Sequence, residues 1–529
     1  MTTTPSTKPW LAVIPLAVAL IVRGIYLYFY QSLPDWEMLT VDNYFHHHWA
    51  QVIAGGDLLG DTTYFRAPLY VWCLAGLYAL FGDGLWVGRL FGLVIGLSSV
   101  GMTYAIGRRL FTPSAGLIAA VIHAVYPIAV YFESELLLDP LYTLLLQLAV
   151  FASLGWWQQK GWWRFLLAGG LFGLAAICRP TALVFAIILA VVPIVLFGAR
   201  RGLPRLGLYV LGLVLIIAPV TIRNISIAGD PVLIASQGGI NFYIGNNEEA
   251  DGVSAVLPEP LGHNWRIEDV VYIAERDLGR SLTPGEVSGY WLGAGFEWIL
   301  ENPGEAAVLY ARKLYHHISN TEISNNRNLH DGFSPLSLFD YFPLGFGIIF
   351  GLAVAGVIAR WPLDSRVRWL TILLLAAILA GSLFFFTSRF RLPLLPYFFV
   401  FAAVGLQGLI ASWRNAKGQV YSSTIVAVAA ALVSYLPIVS LPAGTGVQSA
   451  LVRGSHYYTA GDYQAALAWY QQAQDLDPTF PEVHLNLGAA WLRLGQADSA
   501  MHYFREEIAT HPERAKAYAN LGSVLLLED

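Results

Sequence analysis

Long apolar runs separated by short polar interruptions fill the first 440 residues. Eleven runs are near the length that crosses a hydrocarbon core of about 30 Å. They cover approximately 9–30, 85–107, 114–132, 138–157, 163–178, 180–198, 206–224, 336–359, 368–386, 393–412 and 420–440. Two further segments, 41–54 and 68–81, are apolar but too short to cross, and predict interfacial or re-entrant helices within a first outer loop, 31–84. A second outer loop, 225–334, contains the turn-rich stretch "SQGGINFYIGNN" and an amphipathic helical pattern from Tyr290 to Ile318, broken at "ENPGE".

Beyond residue 445 the pattern changes from continuous to amphipathic and repeats itself. Gly461 recurs as Gly495, Ala466 as Ala500, Pro478 as Pro512 and Leu487-Gly488 as Leu521-Gly522. Each offset is 34, the period of the tetratricopeptide repeat. Two whole units and the first helix of a third are expected. The expected fold class is therefore all-α, a polytopic membrane helix bundle over 1–444 with a helical-repeat domain over 445–529.

Composition agrees: 56% of residues are hydrophobic and only 13% charged, far from the balance of a soluble domain. Charge then orients the bundle. Short cytoplasmic loops accumulate Lys and Arg, and alternate loops hold Arg108 and Arg109; Lys160 and Arg164; Arg200, Arg201 and Arg205; Arg360, Arg366 and Arg368; Arg414 and Lys417. The first run, flanked by Lys8, lacks a small-residue cleavage site and reads as a retained anchor with a cytoplasmic N-terminus. Both outer loops and the repeats then lie on the extracytoplasmic side of a plasma (inner) membrane. Residues 451–529 carry five basic against ten acidic groups, so the whole net charge of −5 resides there. An acidic surface serves solubility, and leaves open a protein partner or acceptor.

Several chemistries are not written in the chain. Cys73 and Cys178 are far apart in apolar segments, and 1–444 shows no zinc signature, phosphate-binding glycine loop, dinucleotide fingerprint or DxD-type metal motif for a nucleotide sugar. No nucleic-acid partner is expected. What remains is a set of ionisable groups on the outer face: Asp42 in "VDNYFHHHWAQ", Arg66, Glu133 and Glu135 and Asp139 in "FESELLLDP", Arg179, and Arg389 and Arg391 in "SRFRLPLLP". Such groups are costly near a bilayer and tend to line cavities. Asp42 and His46 stand four apart on a helix and share a face, as two ligands of one divalent metal would; His46 or His48 lining a cavity is the other reading.

The run 41–82, with "FESELLLDPLYTLLL", "GGINFYIGN" and "RFRLPLLP", resembles the GT-C glycosyltransferases of the protein O-mannosyltransferase and lipid A aminoarabinose transferase type, over about residues 9–412. The resemblance implies a sugar donor on a polyprenyl phosphate, no required cofactor, and inverting transfer with Asp42 as the base. It assigns Arg66, Arg389, Arg391 and Arg179 to the donor phosphate, and Asp139, Glu135, Tyr44, His46, His48 and Asn241 to the cavity and acceptor side. Mannosyltransferases commonly have Asp-Glu where this chain has Asp42-Asn43, which puts protein O-mannosylation in doubt. The acceptor is left open among protein, lipid and glycan of the cell envelope. A multi-span transporter or flippase, or a non-catalytic scaffold docking a partner through its repeats, are the rival readings. A transporter pathway should show charges at mid-span, whereas these are concentrated at one face.

Overall fold

The computed structural model describes residues 9–158, 161–258, 265–323, 345–415, 419–438, 445–512 and 514–528. Lys8, Lys160, Lys417 and the stretch 336–344 of the eighth apolar run lie outside them, as does the side chain of Arg414. The described residues are helical, with no β-strand among them.

The chain begins with α1 (Val13–Tyr30), then α2 (Val41–Ala54) and α3 (Leu69–Phe81), which occupy the two segments too short to cross. Next come α4 (Leu85–Leu110), α5 (Pro113–Val125), α6 (Pro127–Ser134), α7 (Asp139–Ser153), α8 (Trp163–Cys178), α9 (Ala182–Ala190) and α10 (Val192–Ala228). The second outer loop holds α11 (Gly238–Ile244), α12 (Ile267–Leu278), α13 (Pro284–Glu301) and α14 (Pro303–Ile318); Asn302 separates the last two inside "ENPGE". The helices Phe346–Ile358, Ser365–Gly381, Leu395–Asn415 and Gln419–Tyr435 complete the apolar part.

Every apolar run is mainly helical where described, and among the described residues four helices are individually long and apolar enough to cross a membrane, or five spans if the bent pair α5–α6 is one. The other expected crossings are shorter helices where described. Pro127 breaks the third run with a bend of 57°. Gly198, at φ 70°, kinks α10, whose two halves correspond to parts of the sixth and seventh runs.

Packing between helices relies on small residues, since neighbouring apolar helices in lipid gain little from the hydrophobic effect. α8 and α10 approach until a methyl on Gly169 would collide with the Tyr209 carbonyl, and one on Gly212 with that of Leu166. Gly356 and Gly405 allow the same closeness between Phe346–Ile358 and Leu395–Asn415.

The chain divides into two compact units, the larger holding the helices above and the smaller joining Pro34–Met38 to Ser440–Asp529. In the smaller unit, helices Thr445–Thr459, Tyr463–Leu476, Val483–Arg493, Ala497–Thr510 and Ala515–Glu528 form two helix pairs and one more helix. Gly461 and Gly495 take φ of 83° and 78° at equivalent turns, a conformation side chains rarely adopt. Gly488 lies against Phe504, where a Cβ would come within 2.6 Å of the ring. Arg453 pairs with Asp35 at 2.8 Å and lies over the Trp469 ring.

Candidate functional site

Asp42 projects from the first turn of α2, where backbone N–H groups favour a carboxylate. Its face of α2 also buries Asn43, His46, Ala50 and Ile53. The turn is strained, because Val41, β-branched, sits at φ 37°, a cost of about 1–3 kcal/mol. Asn43 holds it: its Oδ1 accepts the Thr40 backbone N–H at 2.6 Å.

Four other elements bring charges to Asp42. Arg66 lies in the α2–α3 connection, held from the second outer loop by Ser236 N–H donating to the Tyr64 carbonyl at 3.0 Å and Gln237 N–H to that of Phe65 at 3.1 Å. Arg389 sits in the short turn Ser388–Arg391, fixed by Ser388 N–H to the Ile323 carbonyl at 3.0 Å and Phe386 N–H to that of Gly252 at 2.7 Å. Asp139 opens α7 ahead of Pro140, and Arg179 ends α8 in the extended conformation that a following proline favours.

Together they form one alternating row. Arg66 pairs with Oδ1 of Asp42, and the Arg389 guanidinium reaches Oδ2 at 2.5 Å. Arg389 Nε lies 3.3 Å from Oδ2 of Asp139, close in charge but not aligned as a hydrogen bond. The other Asp139 oxygen takes Arg179. Phe390 packs under both Arg179 and Arg389, with 4.4 and 5.4 Å between guanidinium carbon and ring centroid; Arg66 covers Phe45 at 4.5 Å. Three cations and two carboxylates leave the row one positive charge in excess. Nε of Arg66 and of Arg389 are buried donors without a hydrogen-bond acceptor among the described residues.

Burial alone would raise the Asp42 carboxyl, but Arg66 and Arg389, helped by His46, outweigh it and hold it well below the usual range. Burial and the neighbouring Arg66 push His46 down to about 4, so its ring is neutral at pH 7. A neutral ring at 2.9 Å from the Leu136 carbonyl donates through Nδ1, which leaves Nε2 as a buried acceptor without a hydrogen bond among the described residues. The proposed metal pair therefore lacks its first ligand's free oxygens, since both oxygens of Asp42 face guanidiniums. No group of three His, Cys, Asp or Glu suited to a metal occurs among the described residues.

The remaining candidates divide. Glu135 is buried behind the row, taking Asn43 Nδ2 at 2.7 Å and Tyr30 OH at 2.5 Å. Tyr44 and His48 are exposed and stack on each other at 5.9 Å. Asn241 sits half-buried in α11 with its backbone N–H on the Gln237 carbonyl. Arg391 does not join its neighbour Arg389. It is turned the other way, pairing with Glu322 at 2.6 Å, donating to the Ser319 carbonyl and covering Phe346 at 3.7 Å.

One expectation needs correction. Charge is not confined to the outer ends: Arg23, in the middle of α1, is buried with its Nε 2.5 Å from Glu133, whose other oxygen faces His123 at 3.8 Å. A close approach at Gly92 and Gly96 makes room for Glu133. An arginine inside the apolar run "LIVRGIY" was the visible signal.

Residues 65–222 match the dolichyl-phosphate-mannose-protein mannosyltransferase family, and residues 454–495 match the tetratricopeptide repeat. The first match covers 158 and the second 42 of the 529 residues. The mannosyltransferase segment includes Arg66, Asp139 and Arg179 and excludes Asp42 and Arg389. Among solved structures, ArnT from Cupriavidus metallidurans bound to undecaprenyl phosphate is 16% identical, covering 97% of this chain and 77% of that one, with a TM-score of 0.46. The oligosaccharyltransferase of Archaeoglobus fulgidus is 14% identical over 87% of this chain and 59% of its own, with a TM-score of 0.44. Among curated proteins, small glutamine-rich tetratricopeptide repeat-containing protein 2 of Mycosarcoma maydis is 36% identical over 72 residues. That match spans 14% of this chain and 20% of the relative.

Proposed function

We propose that the chain is a membrane glycosyltransferase that moves a sugar from a polyprenyl-phosphate donor to an extracytoplasmic acceptor, with inversion at the anomeric carbon. The observation that carries this reading is the row Arg66–Asp42–Arg389–Asp139–Arg179, which puts one carboxylate between two guanidiniums and leaves one positive charge over. A phosphodiester linking lipid to sugar brings one negative charge, which that excess complements.

In this mechanism the donor phosphate takes hydrogen bonds from Arg66 and Arg389, drawing them from Asp42. The carboxyl then rises from its depressed value and becomes a better base. The acceptor hydroxyl gives its proton to Asp42 as its oxygen bonds the anomeric carbon. The bond from that carbon to the phosphate oxygen breaks, and its electron pair leaves with the lipid phosphate. Arg66 and Arg389 stabilise the charge that develops there. Arg179 acts through Asp139, which steadies Arg389 from the far side. Arg391, committed to Glu322, stays outside the reaction.

The cation-rich loops support a reading in which this chemistry lies on the extracytoplasmic side of the plasma (inner) membrane and 445–529 serves as a docking module for a protein acceptor or assembly partner. The transporter reading gains nothing from Arg23, because that charge is closed on Glu133 rather than lining a path.

The decisive experiment is transfer by the purified chain from a radiolabelled polyprenyl-phosphate sugar, with D42N beside wild type. Loss of transfer in D42N is expected; full transfer would remove the base from the mechanism.

A further inference from the structure

We infer that Glu135 is a positioning residue for Asp42, acting through Asn43; this rests on the glycosyltransferase reading and adds a part to its machinery. The chain of contacts is short. Asp42 and Asn43 are adjacent in the first turn of α2, and Asn43 uses both ends of its amide. The carbonyl oxygen closes the turn on the Thr40 N–H at 2.6 Å, and the NH2 group donates to Oε2 of Glu135 at 2.7 Å. Oε1 of Glu135 accepts from Tyr30 OH at 2.5 Å. Glu135 follows the α6 bend and Tyr30 ends α1, so two other helices fix the turn that bears Asp42.

Three observations separate this role from others. Glu135 is 4% exposed, and its two oxygens accept from Tyr30 OH and from Asn43 Nδ2, so its link to Asp42 runs through Asn43. The turn it holds is one that relaxes without help, since Val41 is strained at φ 37°. Furthermore, the residue between Asp42 and Glu135 is an amide. An amide supplies an acceptor to the backbone and a donor to the carboxylate at once, whereas an acidic side chain there would set two carboxylates 2.7 Å apart.

The pair therefore makes an exchangeable unit. In N43D the two carboxylates repel, the turn shifts, and kcat falls at least tenfold, while the KM for the lipid-linked donor stays within twofold because Arg66 and Arg389 are untouched. In N43D/E135Q the bond returns with donor and acceptor exchanged, and kcat recovers to within threefold of wild type. A pair at position 135 repeats the test without altering α2: E135Q keeps an acceptor for Asn43 and stays within threefold, whereas E135L lacks one and loses tenfold in kcat. Variants that do not accumulate are replaced by the other pair. Equal kcat in N43D and N43D/E135Q, or in E135L and E135Q, overturns the assignment. Wild-type chain that transfers no sugar from any lipid-linked donor instead overturns the function proposed above, and this inference falls with it.

Discussion

Two buried charge groups lie in the same helical unit, and their difference separates a site from a brace. Around Arg23, one guanidinium meets Glu133, His123 is the third member, and the paired side chains are 1% and 5% exposed. Around Asp42, three arginines meet two carboxylates, and Asp42, Arg66 and Arg389 side chains keep 13–17% exposure. The first group is balanced and closed. The second is cation-rich and reachable, and that excess charge and access, rather than the spare buried N–H that Arg23 also has, set the proposed anion-binding chamber apart from an ion pair that joins helices.

The largest expected effect tests the reachable group. R389A removes the cation that bridges both carboxylates, and transfer is expected to fall by about 10²–10³-fold, the range for losing one preorganised donor at a developing anion. Thermal unfolding in detergent stays close to wild type, because Asp42 retains Arg66. A variant that transfers normally but unfolds early would make the row a brace after all.

The closed group should respond in the opposite way. R23A leaves Glu133 buried and uncompensated, which costs about 3–5 kcal/mol of stability, while transfer per folded molecule is unchanged. Replacing both members in R23M/E133L removes the penalty along with the pair, and stability is expected to return to wild type or exceed it by about 1–4 kcal/mol. Urea or thermal unfolding of the three proteins reads the cycle. A double variant as unstable as R23A would show that the pair does more than fill space.

The contrast also explains what the sequence could tell. Helix-scale apolar patterning locates α2 at 41–54 and α3 almost residue for residue, and the 34-residue spacing locates the repeats, because periodicity is a local property. Asp42, Arg66, Arg179 and Arg389 stand out for a different reason: charge near a bilayer is costly wherever it occurs. Partner choice was not legible. Arg389 and Arg391 are two apart in one turn, yet one faces Asp42 and the other Glu322. That outcome depends on contacts more than 300 positions away for the first. Similarly, the apolar count predicted a full crossing where Pro127 bends the helix, since hydropathy registers composition and not backbone continuity, whereas the kink at Gly198 falls at the expected end of the sixth run.

The smallest effect concerns pH and compares the row with itself, empty and loaded. In the free enzyme Asp42 is held well below its ordinary value of 3.8, chiefly because Arg66 and Arg389 outweigh burial. A depressed carboxyl contributes stability that is present above the unfolded-state pKa and lost as pH falls through the folded one. Between pH 4 and 6 the free site therefore stays ionised, and kcat/KM, which reports free enzyme, shows no acid limb from Asp42 in that window. With donor bound, phosphate shares the guanidiniums and burial regains weight, so the carboxyl rises. The profile of kcat, which reports the complex, then bends down at higher pH than that of kcat/KM. His46, pushed down to about 4, titrates at the acid edge of that window and is neutral from about pH 5 upward, so a limb above that is not its own. Steady-state transfer between pH 4 and 8 distinguishes the cases: coincident acid limbs would mean that the donor phosphate leaves the Asp42 clamp intact, and the base would have to be sought elsewhere.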